Sequence, residues 1–135
     1  MAENINITCN IKNGTGNKLT VFGSDLSWGK FQTNPSEISK DSNGNFKASG
    51  RKDSASGTEG YVTYQAFDGT LFKINFDIKW GAEANSISWS VTTDAGKGNP
   101  SHFDFYRTKS DYETPETSGD PGSSPVTVYF LIAQK

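Results

Sequence analysis

The sequence predicts an all-β protein, an antiparallel β-sandwich or a closed barrel. Apolar residues recur at every second position in four runs: Ile5, Ile7, Cys9 and Ile11; Phe72, Ile74, Phe76 and Ile78; Ile87, Trp89 and Val91; and Val126, Val128, Phe130 and Ile132. That period of two marks strands with one buried face. Nine Phe, five Tyr and three Trp stand against abundant Gly, Ser, Thr and Asn, which suits pleated surfaces joined by tight turns. No segment of ten or more residues carries a helical stripe.

The first alternating run places Cys9 on the inward face, where it reads as a small buried apolar residue; a lone cysteine also excludes an internal disulfide. Less regular strands are predicted over residues 18 to 23, 26 to 32, 44 to 50, 58 to 67 and 101 to 107, separated by turn-rich stretches such as NGTGN, SNGN, DGT and DAGKGNP. Trp89, between Ile87 and Val91 in strict alternation, reads as core. The stretch from Arg107 to Pro125 holds three Pro and four acidic residues, Asp111, Glu113, Glu116 and Asp120, and reads as a solvated surface loop. No composition shift or fixed-period repeat divides the 135 residues, so one domain over 1–135 is expected, large enough to bury roughly two thirds of its unfolded surface. Neither sheet of such a fold could bury its apolar face alone.

Composition narrows the function. A formal net charge of −2 without a block of like charge gives no reason to expect nucleic acid or general adhesion to an anionic membrane. The start MAENINITCN lacks the basic and apolar segments of a secretion signal, and no apolar run reaches the roughly 18 residues a spanning helix needs. A soluble protein is expected, released by a route that needs no signal peptide. Under that expectation the N-x-T sequons at Asn6 and Asn13 are chance matches.

Catalytic chemistry finds little to stand on. The one histidine, His102 in SHFDFY, alternates with Phe103 and Phe105 and reads as an exposed strand residue rather than the base of a triad. The acids between 111 and 120 lack the glycine-bent ligand loop of a calcium site, and GRKDSASGTEG, residues 50 to 60, has no G-K-[ST] and no following helix to hold a phosphate. No catalytic residue, metal or cofactor is assigned, and a non-enzymatic protein is expected.

Two Trp-Gly pairs remain, LSWGKF around Trp28 and FDIKWGAE around Trp80. An indole where the chain turns either caps the core or stays half wet, offering its apolar face to a ligand and its N–H to a polar group. The ordered set SWGK (27 to 30), ASGRKDSASGTEG (48 to 60), FDIKWG (76 to 81) and ISWSV (87 to 91) resembles the aegerolysins, most clearly over residues 19 to 92. The resemblance implies a β-sandwich of actinoporin-like fold that recognises a membrane sphingolipid or related lipid, with or without sterol, and acts with a larger MACPF or perforin-like partner in a two-component, pore-forming and in some cases insecticidal toxin. It implies a lipid site containing Trp28, Trp80 and Asp77. Lys30, beside Trp28, is a candidate for a lipid phosphate, and Glu59 a candidate carboxylate. One departure bears on lipid choice: the glutamate that precedes the glycine of this turn in sphingolipid-binding fungal members is Ser56 here, before Gly57. The loop after Trp80 is also longer, with Glu83 where a basic residue is expected. The rival reading is a carbohydrate-binding or other non-lytic module, since indoles also stack on sugars and sandwiches host many functions.

Overall fold

A computed structural model describes the chain apart from residues 1, 53, 54, 82, 111, 113 and 118–120. Among the described residues, nine strands form two sheets. In chain order they are β1 (Asn6–Gly14), β2 (Thr20–Trp28), β3 (Lys30–Thr33), β4 (Asn43–Ser49), β5 (Thr58–Gln65), β6 (Leu71–Ile78), β7 (Ser86–Thr92), β8 (Phe103–Thr108) and β9 (Val126–Gln134). One sheet has the order β3-β4-β1-β9-β8, the other β2-β5-β6-β7.

The alternation read from the sequence is the alternation that packs. Ile7, Cys9 and Ile11 of β1, Phe72, Ile74, Phe76 and Ile78 of β6, and Val126, Val128, Phe130 and Ile132 of β9 are all buried between the sheets. Trp89 packs against this core, its ring 5.3 Å from that of Phe130 in an edge-on contact. Cys9 is fully buried, and burial pushes its thiol well above the ordinary range.

Several details differ from the expectation. The sandwich is not antiparallel throughout, because β1 and β9 pair parallel, with Ile7 opposite Val126 and Gly14 opposite Ala133. The segments 18 to 23 and 26 to 32 are not two separate strands broken at 24 and 25. The chain runs unbroken through Thr20–Trp28, turns at Gly29 and begins β3 at Lys30. His102 lies in a short 3₁₀ turn, Pro100–His102, capped by the Asn99 side chain, which accepts from the Ser101 amide; β8 starts one residue later. Glu116 is not a solvated loop acid: its amide donates to the Arg107 carbonyl and its carboxylate lies 3.3 Å from Arg107 Nε. Asp111, Glu113 and Asp120 lie outside the described residues. Asn13 is fully buried, its Nδ2 donating to the carbonyls of Asn17, Ile38 and Ser39 while its Oδ1 accepts from Thr15, so this side chain fastens a loop.

Candidate functional site

Strand direction decides where the two tryptophan corners meet. β5 runs antiparallel to both β2 and β6, so β2 and β6 run the same way and end at the same end of the four-stranded sheet. Trp28 closes β2 and Trp80 follows β6 by two residues. Both rings remain wet, Trp28 53% and Trp80 41% exposed, whereas Trp89 is packed into the sandwich.

Between them lies a row of opposed residues. Trp28 stands opposite Glu59, Glu59 opposite Asp77, and Asp77 opposite Ser86. Trp28 and Asp77 are thus two strands apart, roughly 10 Å at the usual spacing. Phe76 and Ile78 face the core, so Asp77 and its opposed partner Glu59 face outward, over a hollow of about 340 Å³ whose wall includes Ser27, Tyr61, Asn75 and Ser88. On the same outer face, Lys73 Nζ sits 4.5 Å from the centre of the Tyr61 ring.

Two glycines build the corners, and they work differently. Gly29 has φ of +98°, and a Cβ there would meet the Ser49 carbonyl at 2.4 Å and the Thr58 hydroxyl at 2.6 Å. Only glycine fits where the chain crosses from one sheet to the other, and the Thr58 hydroxyl fixes the corner by donating to the Trp28 carbonyl over 3.1 Å. A Cβ on Gly81, where φ is +87°, would meet nothing within 4 Å among the described residues; this glycine turns the chain after Trp80. That turn is held by Asn85, whose Oδ1 accepts from the Lys79 amide at 2.8 Å and whose Nδ2 donates to the Gly122 carbonyl at 2.6 Å. From the other side, Gly57 rests on the end of β6 so closely that a Cβ would lie 1.7 Å from the Ile78 carbonyl. The turn carrying Ser56 and Gly57 is thereby locked to the backbone that presents Trp80.

The charges divide differently from the sequence reading. Lys30 opens β3 in the other sheet and its Nζ lies 2.6 Å from Glu3 Oε2, a pair that lowers the Glu3 carboxyl below its usual range. The cation beside Asp77 is Lys79, at 2.8 Å from Nζ to Oδ2. Hydrogen bonding to Asp77, then its charge, raises the Lys79 ammonium above its ordinary value, with smaller contributions from Glu83 and Glu59. Trp28, Trp80, Glu59 and Asp77 therefore gather at one end, Lys79 joins them, and Lys30, next to the Trp28 corner but in the other sheet, is engaged with Glu3. The signal for Lys79 was present in FDIKWG, because residues two apart on a strand share a face.

The family model for aegerolysins matches residues 4–97. The chain belongs to the aegerolysin family. Among solved structures this aegerolysin is similar to IP-1A from Alcaligenes faecalis, at 20% identity and a TM-score of 0.73, with 99% of this chain and 94% of that one covered. It is similar to the RahU protein, solved in complex with a TRIS molecule, at 16% identity and a TM-score of 0.71, covering 99% and 98%. It is also similar to Nakanori, described as a lipid binding protein, at 13% identity and a TM-score of 0.67, covering 97% of this chain and 71% of that one. At these identities the likeness is one of fold. No curated protein gives a significant sequence match.

Proposed function

We propose that this aegerolysin recognises a membrane lipid by its headgroup and docks on the bilayer through the tryptophan end of its four-stranded sheet. The observation that carries the reading is the pair of half-exposed indoles leaving the same sheet end beside an outward carboxylate row. Indoles favour the headgroup layer because one part of the ring system is apolar and the other donates a hydrogen bond. Family membership and the lipid-binding description of Nakanori support it.

The headgroup chemistry follows from the charges. Glu59 and Asp77 are directly opposed, an arrangement of like charges that costs stability unless it is balanced. Lys79 offsets one carboxylate; a choline or ethanolamine ammonium would offset the other, with the Trp28 ring alongside for a cation–π contact. A phosphate following that ammonium meets Lys79 rather than Lys30. A sphingolipid or related zwitterionic lipid, with or without sterol, satisfies this set.

The finer role is that of the lipid-recognising component of a two-component toxin, cytolytic and insecticidal, whose larger MACPF or perforin-like partner builds the pore at the target-cell membrane. Strand lengths support that division. A membrane barrel strand needs about 9 to 11 residues; β1 and β9 reach nine only as buried strands of the sandwich core, and β2 carries Gly23, Ser24, Asp25 and Ser27.

Co-sedimentation with liposomes of sphingomyelin with cholesterol, ceramide phosphoethanolamine, phosphatidylcholine or phosphatidylglycerol tests the reading. Binding to a zwitterionic sphingolipid, weakened about tenfold or more in Glu59→Gln, is expected. Equal binding to every composition, or to phosphatidylglycerol alone, contradicts it. Vesicle leakage by this chain without any partner, at the dose where it binds, contradicts the division of labour.

A further inference from the structure

We propose a second ligand site, for a neutral saccharide, on the outer face of the five-stranded sheet. A hollow of about 330 Å³ opens there across β1, β4, β8 and β9, at the small end of the range of small-molecule pockets. Strand register builds it from two rows. Asn10 stands opposite Asn45 and Tyr129, and Tyr129 opposite Thr108; Lys12 stands opposite Asn43 and Leu131.

The chemistry of this wall differs from that of the tryptophan end. No carboxylate is found among the described lining residues, and Lys12 is the one cation among them. The rest are the carboxamides of Asn10 and Asn43, the hydroxyls of Thr108 and Ser110, the phenol of Tyr129 and the apolar residues Ile11, Phe130 and Leu131. The side chains of Asn10 and Asn43 and the hydroxyl of Tyr129 make no hydrogen bond to another group among the described residues, although Asn10 and Tyr129 are half buried. Each carboxamide offers two donors and an acceptor, which matches vicinal hydroxyls that donate and accept at once. A tyrosine ring beside them supplies an apolar surface for sugar C–H groups.

Alternatives fit less well. Among the described lining residues a phosphate or acidic ligand finds a single cation, and an amine finds no carboxylate. A bilayer needs projecting apolar rings, yet the exposed large apolar residues Phe22, Trp28, Phe67, Trp80 and Tyr112 all lie outside the hollow. Position adds a reason for such a site. Asn6 of β1 faces Ser49, which faces Lys30 next to the Trp28 corner, so Asn10 and Lys12 lie roughly 13–20 Å along the strand from that end. With the tryptophans in the headgroup layer, the hollow stands above the bilayer, where glycans project. Saccharide binding in this hollow needs no membrane.

Saturation-transfer NMR of the whole chain with the methyl glycosides of glucose, galactose, mannose and N-acetylglucosamine tests it. At least one glycoside is expected to give a saturable signal, weakened about tenfold in Asn43→Ala, an exposed position, and in Tyr129→Ala, and unchanged in Trp28→Ala. If Tyr129→Ala fails to fold, Asn43→Ala decides. No signal from any of the four, a signal indifferent to Asn43→Ala, or one abolished by Trp28→Ala overturns the proposal. Because Trp28→Ala separates the two sites, failure here leaves lipid binding standing, and loss of lipid binding leaves this site standing.

Discussion

At the scale of single residues, the two Trp-Gly corners share a sequence pattern but not a mechanical role. Gly29 sits against Ser49 and Thr58 with a left-handed backbone, while Gly81 has the same handedness and open space. Gly29→Ala therefore combines backbone strain with a steric clash and is expected to cost at least about 2 kcal/mol; Gly81→Ala pays strain alone, about 1 kcal/mol. Urea denaturation of the two variants measures the difference, and equal losses would refute the steric account. Tyr64 supplies a test of opposite sign. It is fully buried, its hydroxyl has no hydrogen-bond partner among the described residues, and burial beside Cys9 raises its ionisation. Tyr64→Phe removes an unsatisfied polar group while keeping the ring, and a gain of about 1 kcal/mol is expected from the same denaturation. The wet state of Trp28 and Trp80 was legible only as one of two readings, because sequence spacing does not say whether a turn folds its indole back over the core.

At the scale of elements, the turn between β5 and β6 is held by charge as well as by shape. The Ala66 amide donates to the Thr70 carbonyl at 2.9 Å and Gly69, with φ of +102°, makes the reversal. Asp68 then accepts from the amides of Thr70 at 2.9 Å and Asn99 at 3.2 Å. Burial pushes the Asp68 carboxyl up, but these hydrogen bonds outweigh it and leave its pKa below the ordinary value. A depressed folded pKa stabilises the protein above the unfolded carboxylate value, near pH 4, and that contribution fades as pH falls through the folded value. Asp68→Ala is accordingly expected to lose about 1 kcal/mol at pH 7, with the gap from the parent chain narrowing below about pH 4; thermal melts across pH 2 to 7 read it. Strands were the most legible elements, since Phe72 to Ile78 and Val126 to Ile132 announce their buried faces by alternation. Their direction was not legible, because a period of two is the same for parallel and antiparallel neighbours. The parallel pairing of β1 with β9 joins segments from the two ends of the chain, and no local signal carries that. The late start of β8 had a readable cause, since Asn99 followed by Pro100 is the signature of a capped turn.

At the scale of the whole molecule, one sheet presents two indoles and an acidic row, and the other presents amides and hydroxyls. Neither face depends on net charge, which at −2 gives no long-range attraction to an anionic surface; a single lysine near such a surface contributes only about 1 kcal/mol. Docking must come from rings entering the interface and from a matched headgroup. Docking therefore sets the depth of the two corner rings, and quenching of tryptophan emission by brominated lipids in sphingolipid vesicles measures it directly, using chains that retain one tryptophan at a time with Phe at the other two positions. Strong quenching of Trp28 and of Trp80, with Trp89 unaffected, is the predicted result. Binding without quenching of either corner tryptophan would contradict it.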